Sequence, residues 1–149
     1  MTSHIRLATS ADLPEVGTIV SAAYTPWIEK IGQRPGPLTD DYAALIAEGR
    51  VHVLDEGAEV LGFVVLVPQG AAMLLDNVAV APQTQGRGIG RLLMQFAEDQ
   101  ARAAGLTTMR LYTHVRMDTN IALYTRLGYG ETRRVTEKGL HRVYMEKPL

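Results

Sequence analysis

No cysteine occurs in the 149 residues, which excludes disulfides, thiolate-held metals and a cysteine nucleophile. Charge of one sign is equally scarce. Fifteen Lys and Arg stand against 16 Asp and Glu, a formal net charge of −1, so no global field is available to hold a nucleic-acid backbone or an anionic membrane. Long hydrophobic runs are missing as well. The longest, Val60 to Val67, contains Gly62 and falls far short of the roughly 20 residues of a membrane-spanning helix. The opening Met1-Thr-Ser-His-Ile-Arg6 lacks the apolar stretch of a signal peptide. The histidines, at 4, 52, 114 and 141, have no metal-ligand spacing. The expectation is a cytoplasmic protein with no metal and no membrane or nucleic-acid partner.

What is present is enough apolar matter, 46% of the chain, to bury one core, and residues 1–149 read as a single domain. Ile5 and Leu7 alternate as a strand does, and Thr9, Ser10 and Asp12 offer caps to a helix bearing Leu13, Val16, Ile19, Val20 and Ala23. A short helix over 27–31 must end in the Gly32 to Pro37 segment, and 40–48 suits another helical piece. Val51 and Val53, then Val60 to Val67, flank a turn at 55–58 and read as a hairpin whose second strand is buried on both faces. Met73 to Val80 is the next strand. From Gly88 an apolar stripe of period 3.6 runs to Ala104 and closes at Gly105. A strand over 109–113, a helix over 118–127 ended by Gly128, and strands at Val135 and 140–145 complete a mixed α/β order.

Between the strand ending at Val80 and the long helix lies Ala81-Pro-Gln-Thr-Gln-Gly-Arg-Gly-Ile-Gly-Arg91. A helix start exposes unpaired N–H groups and a partial positive charge, and glycine lets a phosphate approach that backbone closely. Arg87 and Arg91 add local charge. The plain alternative is a turn that only requires positive φ. A P-loop requires Gly-Lys-Ser/Thr where this chain has Gly90-Arg91-Leu92, and the dinucleotide fingerprint requires glycine where Arg91 stands. Both spacings fail, which weakens an ATP-binding reading.

The motif that does fit is Gln/Arg-x-x-Gly-x-Gly/Ala, here Gln85 to Gly90, after a strand ending Asn77-Val-Ala-Val80. With Asn120-Ile-Ala-Leu-Tyr-Thr-Arg-Leu-Gly-Tyr129 and the element order, the whole chain resembles the GCN5-related N-acetyltransferase (GNAT) superfamily. The resemblance implies a mixed, mainly antiparallel sheet of about seven strands with a splayed central pair, flanked by about four helices. It implies acetyl-CoA as cosubstrate, with its pantetheine arm along Val78, Ala79 and Val80. The pyrophosphate would lie on Gln85, Gly86, Arg87, Gly88, Ile89, Gly90 and Arg91, and Asn120 would be a further contact to the arm. The plain alternative for Asn120 is a helix cap. It also implies an amine acceptor, a small molecule or a peptide N-terminus, and points to a homodimer, though no residue marks an interface.

Acetyl transfer from a thioester requires a neutral amine, a stabilised oxyanion and a proton for the departing thiolate. By the resemblance Tyr124 is the general acid; by helical spacing alone it sits with Ile121 and Leu127 as ordinary core. Many family members carry a glutamate on the strand that here reads Leu111-Tyr-Thr-His-Val115. That departure leaves Glu29, Asp76 and His114 as candidate bases. Each has a bland alternative: an exposed helix face, a satisfied strand-end carboxylate and a surface loop. The backbone N–H of Val78 or Ala79 could serve the oxyanion. Tyr24 and Trp27 could wall a cation, with Glu29, Asp40 and Asp41 to attract it, whereas Arg133, Arg134 and Arg142 suit an acceptor bearing a carboxylate. A non-catalytic acyl-CoA sensor is the competing reading.

Overall fold

The computed structural model describes residues 3–149. Seven strands form one sheet in the order β1-β2-β3-β4-β5-β7-β6, with β1 at Ser3–Leu7, β2 at Val51–Glu56, β3 at Glu59–Gln69 and β4 at Ala72–Val80. β5 spans Thr108–His114, β6 Gly130–Glu137 and β7 Leu140–Pro148. Neighbours are antiparallel except β4 and β5. The helices are α1 (Leu13–Tyr24), α2 (Trp27–Ile31), α3 (Tyr42–Ala47), α4 (Ile89–Ala103) and α5 (Asp118–Arg126). Two of the five are barely longer than a turn, so the expected mixed sheet flanked by about four helices stands. No described helix is long and apolar enough to cross a membrane.

Alternation along the strands divides the core in two. On one face Val51, Val53, Phe63, Val65 and Ala79 meet Val16, Ile19 and Val20 of α1 and Tyr42 and Ile46 of α3. On the other, Leu54, Leu61, Val64, Leu66, Met109 and Leu111 meet Leu93, Met94, Ala97 and Ala101 of α4. With both faces covered, β3 needs no polar side, which is why its sequence is continuously apolar. Each fully buried Phe or Leu contributes about 1.5–3 kcal/mol through the water it leaves. Helix α4 ends in a Schellman closure: Gly105 takes φ +76°, its N–H bonds Arg102 O and that of Leu106 bonds Ala101 O.

The divergence that makes room for a ligand begins at one residue. β4 and β5 pair only from Ala72↔Thr108 to Leu75↔Leu111. On the other side of β4, Leu66 faces Leu75 and Val65 faces Asn77, which leaves Asp76 as the extra residue of a β-bulge. A bulge bends its strand and tightens the local twist. Beyond Asp76, β4 therefore leaves β5, and the sheet opens at its centre.

Candidate active site

The open edge of β4 offers backbone groups to a ligand. Ala81 N–H bonds Leu61 O at 2.8 Å, and antiparallel alternation then turns Ala79 and Asn77 toward β3 and Val78 and Val80 toward the gap. Val78 and Val80 are thus the expected edge residues. Ala79 is not: its backbone faces β3 and its side chain is buried on the α1 face. Of the two oxyanion donors considered, only the Val78 N–H faces the opening.

At the start of α4 the amides of Gly86, Gly88, Ile89, Gly90 and Arg91 find no acceptor among the described residues. The first bond of this helix runs from Leu92 N–H to Gly88 O, and no side chain caps it. Gly86 and Gly88 hold φ of +86° and +79°, which an L side chain adopts only with strain. The groove beside them is lined by Val78, Val80, Gln85, Gly86, Gly88 and Arg91, with apolar walls from Leu123 and Leu127. Free amides at a helix N-terminus next to an unpaired strand edge fit a pyrophosphate carrying an amide-containing arm. Ile89 contributes its amide, while its side chain is core. Arg87 stays outside. Its N–H bonds Thr84 O, and its guanidinium pairs with Glu56 at 2.9 Å.

A second pocket opens on the α1 face, lined by Tyr24, the segment Pro35 to Pro37, Asp76, Tyr112, His114 and Arg142. It shares Val78, Asn120 and Tyr124 with the groove, so the two cavities meet through the opened sheet. Tyr124 sits at that junction, and its hydroxyl has no hydrogen-bond partner among the described residues. Burial raises its pKa to about 12, which keeps the phenol protonated at neutral pH. Asn120 is the third residue of α5, whose N-cap position is Met117. It does not cap the helix and lines both cavities instead.

Asp76, on the bulge, accepts the Tyr112 hydroxyl at 2.7 Å through Oδ1. Its Oδ2 is free of protein partners among the described residues. Asp40 lies within electrostatic reach: burial, then the Asp76 charge, raises its pKa, while Lys138 and Arg142 act the other way. Glu29 is exposed on α2 and lines neither cavity. His114 is buried at the end of β5 rather than on a surface loop. Its Nδ1 accepts the Arg116 N–H at 3.1 Å, which occupies the lone pair a base would use and assigns the proton to Nε2. Burial first, then His141 and two arginines, lowers its pKa, so the ring is neutral at neutral pH. Trp27 faces Lys30, away from the pocket.

Two participants, Asn77 and Tyr42, escaped the sequence reading, while Tyr24, expected as a wall of the acceptor site, lines the pocket. Tyr24 donates to Asn77 Oδ1 and approaches Val78 O at 3.3 Å. Asn77 Nδ2 donates to the Tyr42 hydroxyl oxygen at 2.9 Å, and that hydroxyl donates to Pro37 O at 2.8 Å. This chain ties α1, α3 and the loop before it to the β4 edge. An asparagine inside an apolar strand, where the residue is disfavoured, was the available signal.

The family model described as "Acetyltransferase (GNAT) family" matches residues 16–129. A [Ribosomal protein bS18]-alanine N-acetyltransferase of Salmonella typhimurium is 32% identical over 136 residues, covering 85% of this chain and 80% of the relative. An IAA acetyltransferase of Azospirillum brasilense is 36% identical over 90 residues, 59% of each chain, so that match spans less than two thirds of that relative. The crystal structure of PaiA N-acetyltransferase from Thermoplasma acidophilum in complex with coenzyme A superimposes over the whole of both chains with a TM-score of 0.75. At 18% identity it speaks to the fold alone.

Proposed function

The chain belongs to the GNAT acetyltransferase family, and from that premise we propose that it transfers the acetyl group of acetyl-CoA to a primary amine, on a small molecule or a peptide N-terminus, in one ternary complex. The observation that carries this reading is the meeting of groove and pocket at Val78, Asn120 and Tyr124. In this reading a thioester laid along the β4 edge meets the amine there. The relatives named for alanine N-acetylation support a peptide N-terminus as one acceptor class.

In this reading residues 1–149 act as one domain. The free amides of Gly86, Gly88, Ile89, Gly90 and Arg91 bind the pyrophosphate, with Gln85 and the Arg91 guanidinium beside them. Val78 and Val80 pair with the pantetheine amides, Asn120 holds the arm from α5, and the Val78 N–H faces the oxyanion. An alkylammonium has a pKa of about 10 and must lose one proton before attack. Asp76 Oδ2 accepts it, directly or through water. The nitrogen lone pair then forms the C–N bond as the C–S bond breaks. Tyr124 protonates the thiolate, and the second proton shed by the nitrogen restores the phenol through solvent. The sum is ammonium plus thioester giving amide, thiol and one released proton.

The test is calorimetric titration with acetyl-CoA, followed by thiol release against pooled amines. Binding with amine-dependent release supports the reading. Binding with no release for any amine favours an acyl-CoA sensor, and no binding overturns both.

A further inference from the structure

Resting on that reading, we propose that Arg142 selects an acceptor carrying a carboxylate a few bonds from its amine, an aminocarboxylate, and that the Asp76 and Arg142 sides of the pocket grip its two ends.

Arg142 is a cation placed inside a binding cavity. Its side chain retains only 11% exposure, it lines the same pocket as Asp76 and Tyr124, and its guanidinium carbon lies 4.4 Å from the centroid of the Tyr112 ring. Nη1 donates to Glu137 at 2.8 Å. Nη2 and Nε have no acceptor among the described residues, so the fork keeps donors free for a ligand in the cavity. Glu137 is itself held by the Tyr144 hydroxyl, so the fork is fixed in direction before any ligand arrives. A Cβ at Gly36 would come within 2.8 Å of Nη2, so a side chain there would crowd the end of the fork that faces the pocket.

The other end of the pocket has the opposite sign. The Tyr112 hydroxyl that donates to Asp76 belongs to the ring over which Arg142 lies, so the carboxylate and the guanidinium are separated by about the width of one phenol. An ammonium at Asp76 and a carboxylate at Arg142 match that span, and a planar fork favours a carboxylate over a single acceptor atom. A polyamine would bring a second cation against Arg142 and is disfavoured. Two sources supply the shared chemistry: a free amino acid, or an acidic side chain beside a peptide N-terminus.

The experiment measures kcat/KM at saturating acetyl-CoA for matched acceptors: alanine against ethylamine, and amide-capped alanyl-glutamate against alanyl-glutamine. The wild-type protein is expected to prefer the carboxylate member of at least one pair by about tenfold or more, the range of a charge-assisted hydrogen bond; which pair it prefers distinguishes the two sources. Arg142→Gln is expected to collapse that preference mainly through KM, and Arg142→Lys to restore it in part. Calorimetry with acetyl-CoA reports that each variant is folded. Equal use of both members of both pairs by the wild-type protein overturns the proposal, as does an unchanged preference in Arg142→Gln. Absence of release from all four acceptors and from the pooled amines is a failure of the acetyltransfer reading, a different result from these.

Discussion

Tyr124 shows how a side chain's surroundings change what it can do. On an isolated helix it is an apolar residue in line with Ile121 and Leu127. Here it lines both cavities, and burial raises its pKa to about 12. Tyr124→Phe should leave the acetyl-CoA dissociation constant nearly unaltered while lowering kcat by about 10²–10⁴, the range of a general acid. Stopped turnover with intact calorimetric binding is the signature, and a wild-type rate would remove the acid role. Because burial raises this pKa, loss of the Tyr124 proton contributes no falling limb to the rate profile across the neutral and mildly alkaline range.

Among the elements, β3 and α4 meet closely at Gly62. A Cβ at Gly62 would lie 3.0 Å from Ala79 O and from Leu93 Cδ1, and 3.2 Å from Ile89 Cγ2. Leu93 and Ile89 can give way only by shifting α4, and the contact with the β4 backbone oxygen then remains. Gly62→Ala is expected to cost about 1–3 kcal/mol in urea unfolding and to weaken acetyl-CoA binding, because Ile89 opens the phosphate-facing turn. An unchanged unfolding midpoint would contradict this account. Strand and helix identities were legible in the sequence because hydrophobic period and glycine stops report on them directly, as at α4. β6 was read only at Val135, since Glu131 to Arg134 are exposed on an edge strand and leave no alternation to detect. The bulge at Asp76 carried no signal, because any residue can be the extra one. The placement of the glycines at the start of α4 and of Tyr124 where groove and pocket share their lining was legible through their motifs. Arg87 was misleading, since its position in the motif says nothing about the pull of Glu56, and Glu29 was a carboxylate whose helix turns it to solvent.

For the molecule as a whole, near-balanced charge means that pH sensitivity is concentrated in a few pairs. Arg6 grips Asp12 with two bonds, of 2.9 and 3.0 Å, and Asp55 with a third, joining β1, the start of α1 and β2. The Arg6 hydrogen bond, opposed by burial and aided by the Thr9 N–H, lowers the Asp12 pKa. A lowered folded pKa gives stability that is present above the unfolded value, roughly 3.9, and is lost as pH falls through the folded one. Asp12→Asn should therefore be less stable than the wild-type protein at pH 7, with the gap narrowing in paired urea titrations as pH falls below the unfolded carboxylate value of roughly 3.9. A gap independent of pH would remove the ionic explanation.

The partial pairing of β4 with β5 also makes the sheet resemble an open book. Its leaves, β1–β4 and β5–β7, share a spine of four residue pairs; past Asp76 nothing in the sheet ladder fixes the angle between them. In the proposed reading each reactant enters from a different side of the page, the cosubstrate beside α4 and α5 and the amine beside α1 with its following loop. A cosubstrate arm in the crease would then be the missing line of text, written where the two leaves have parted.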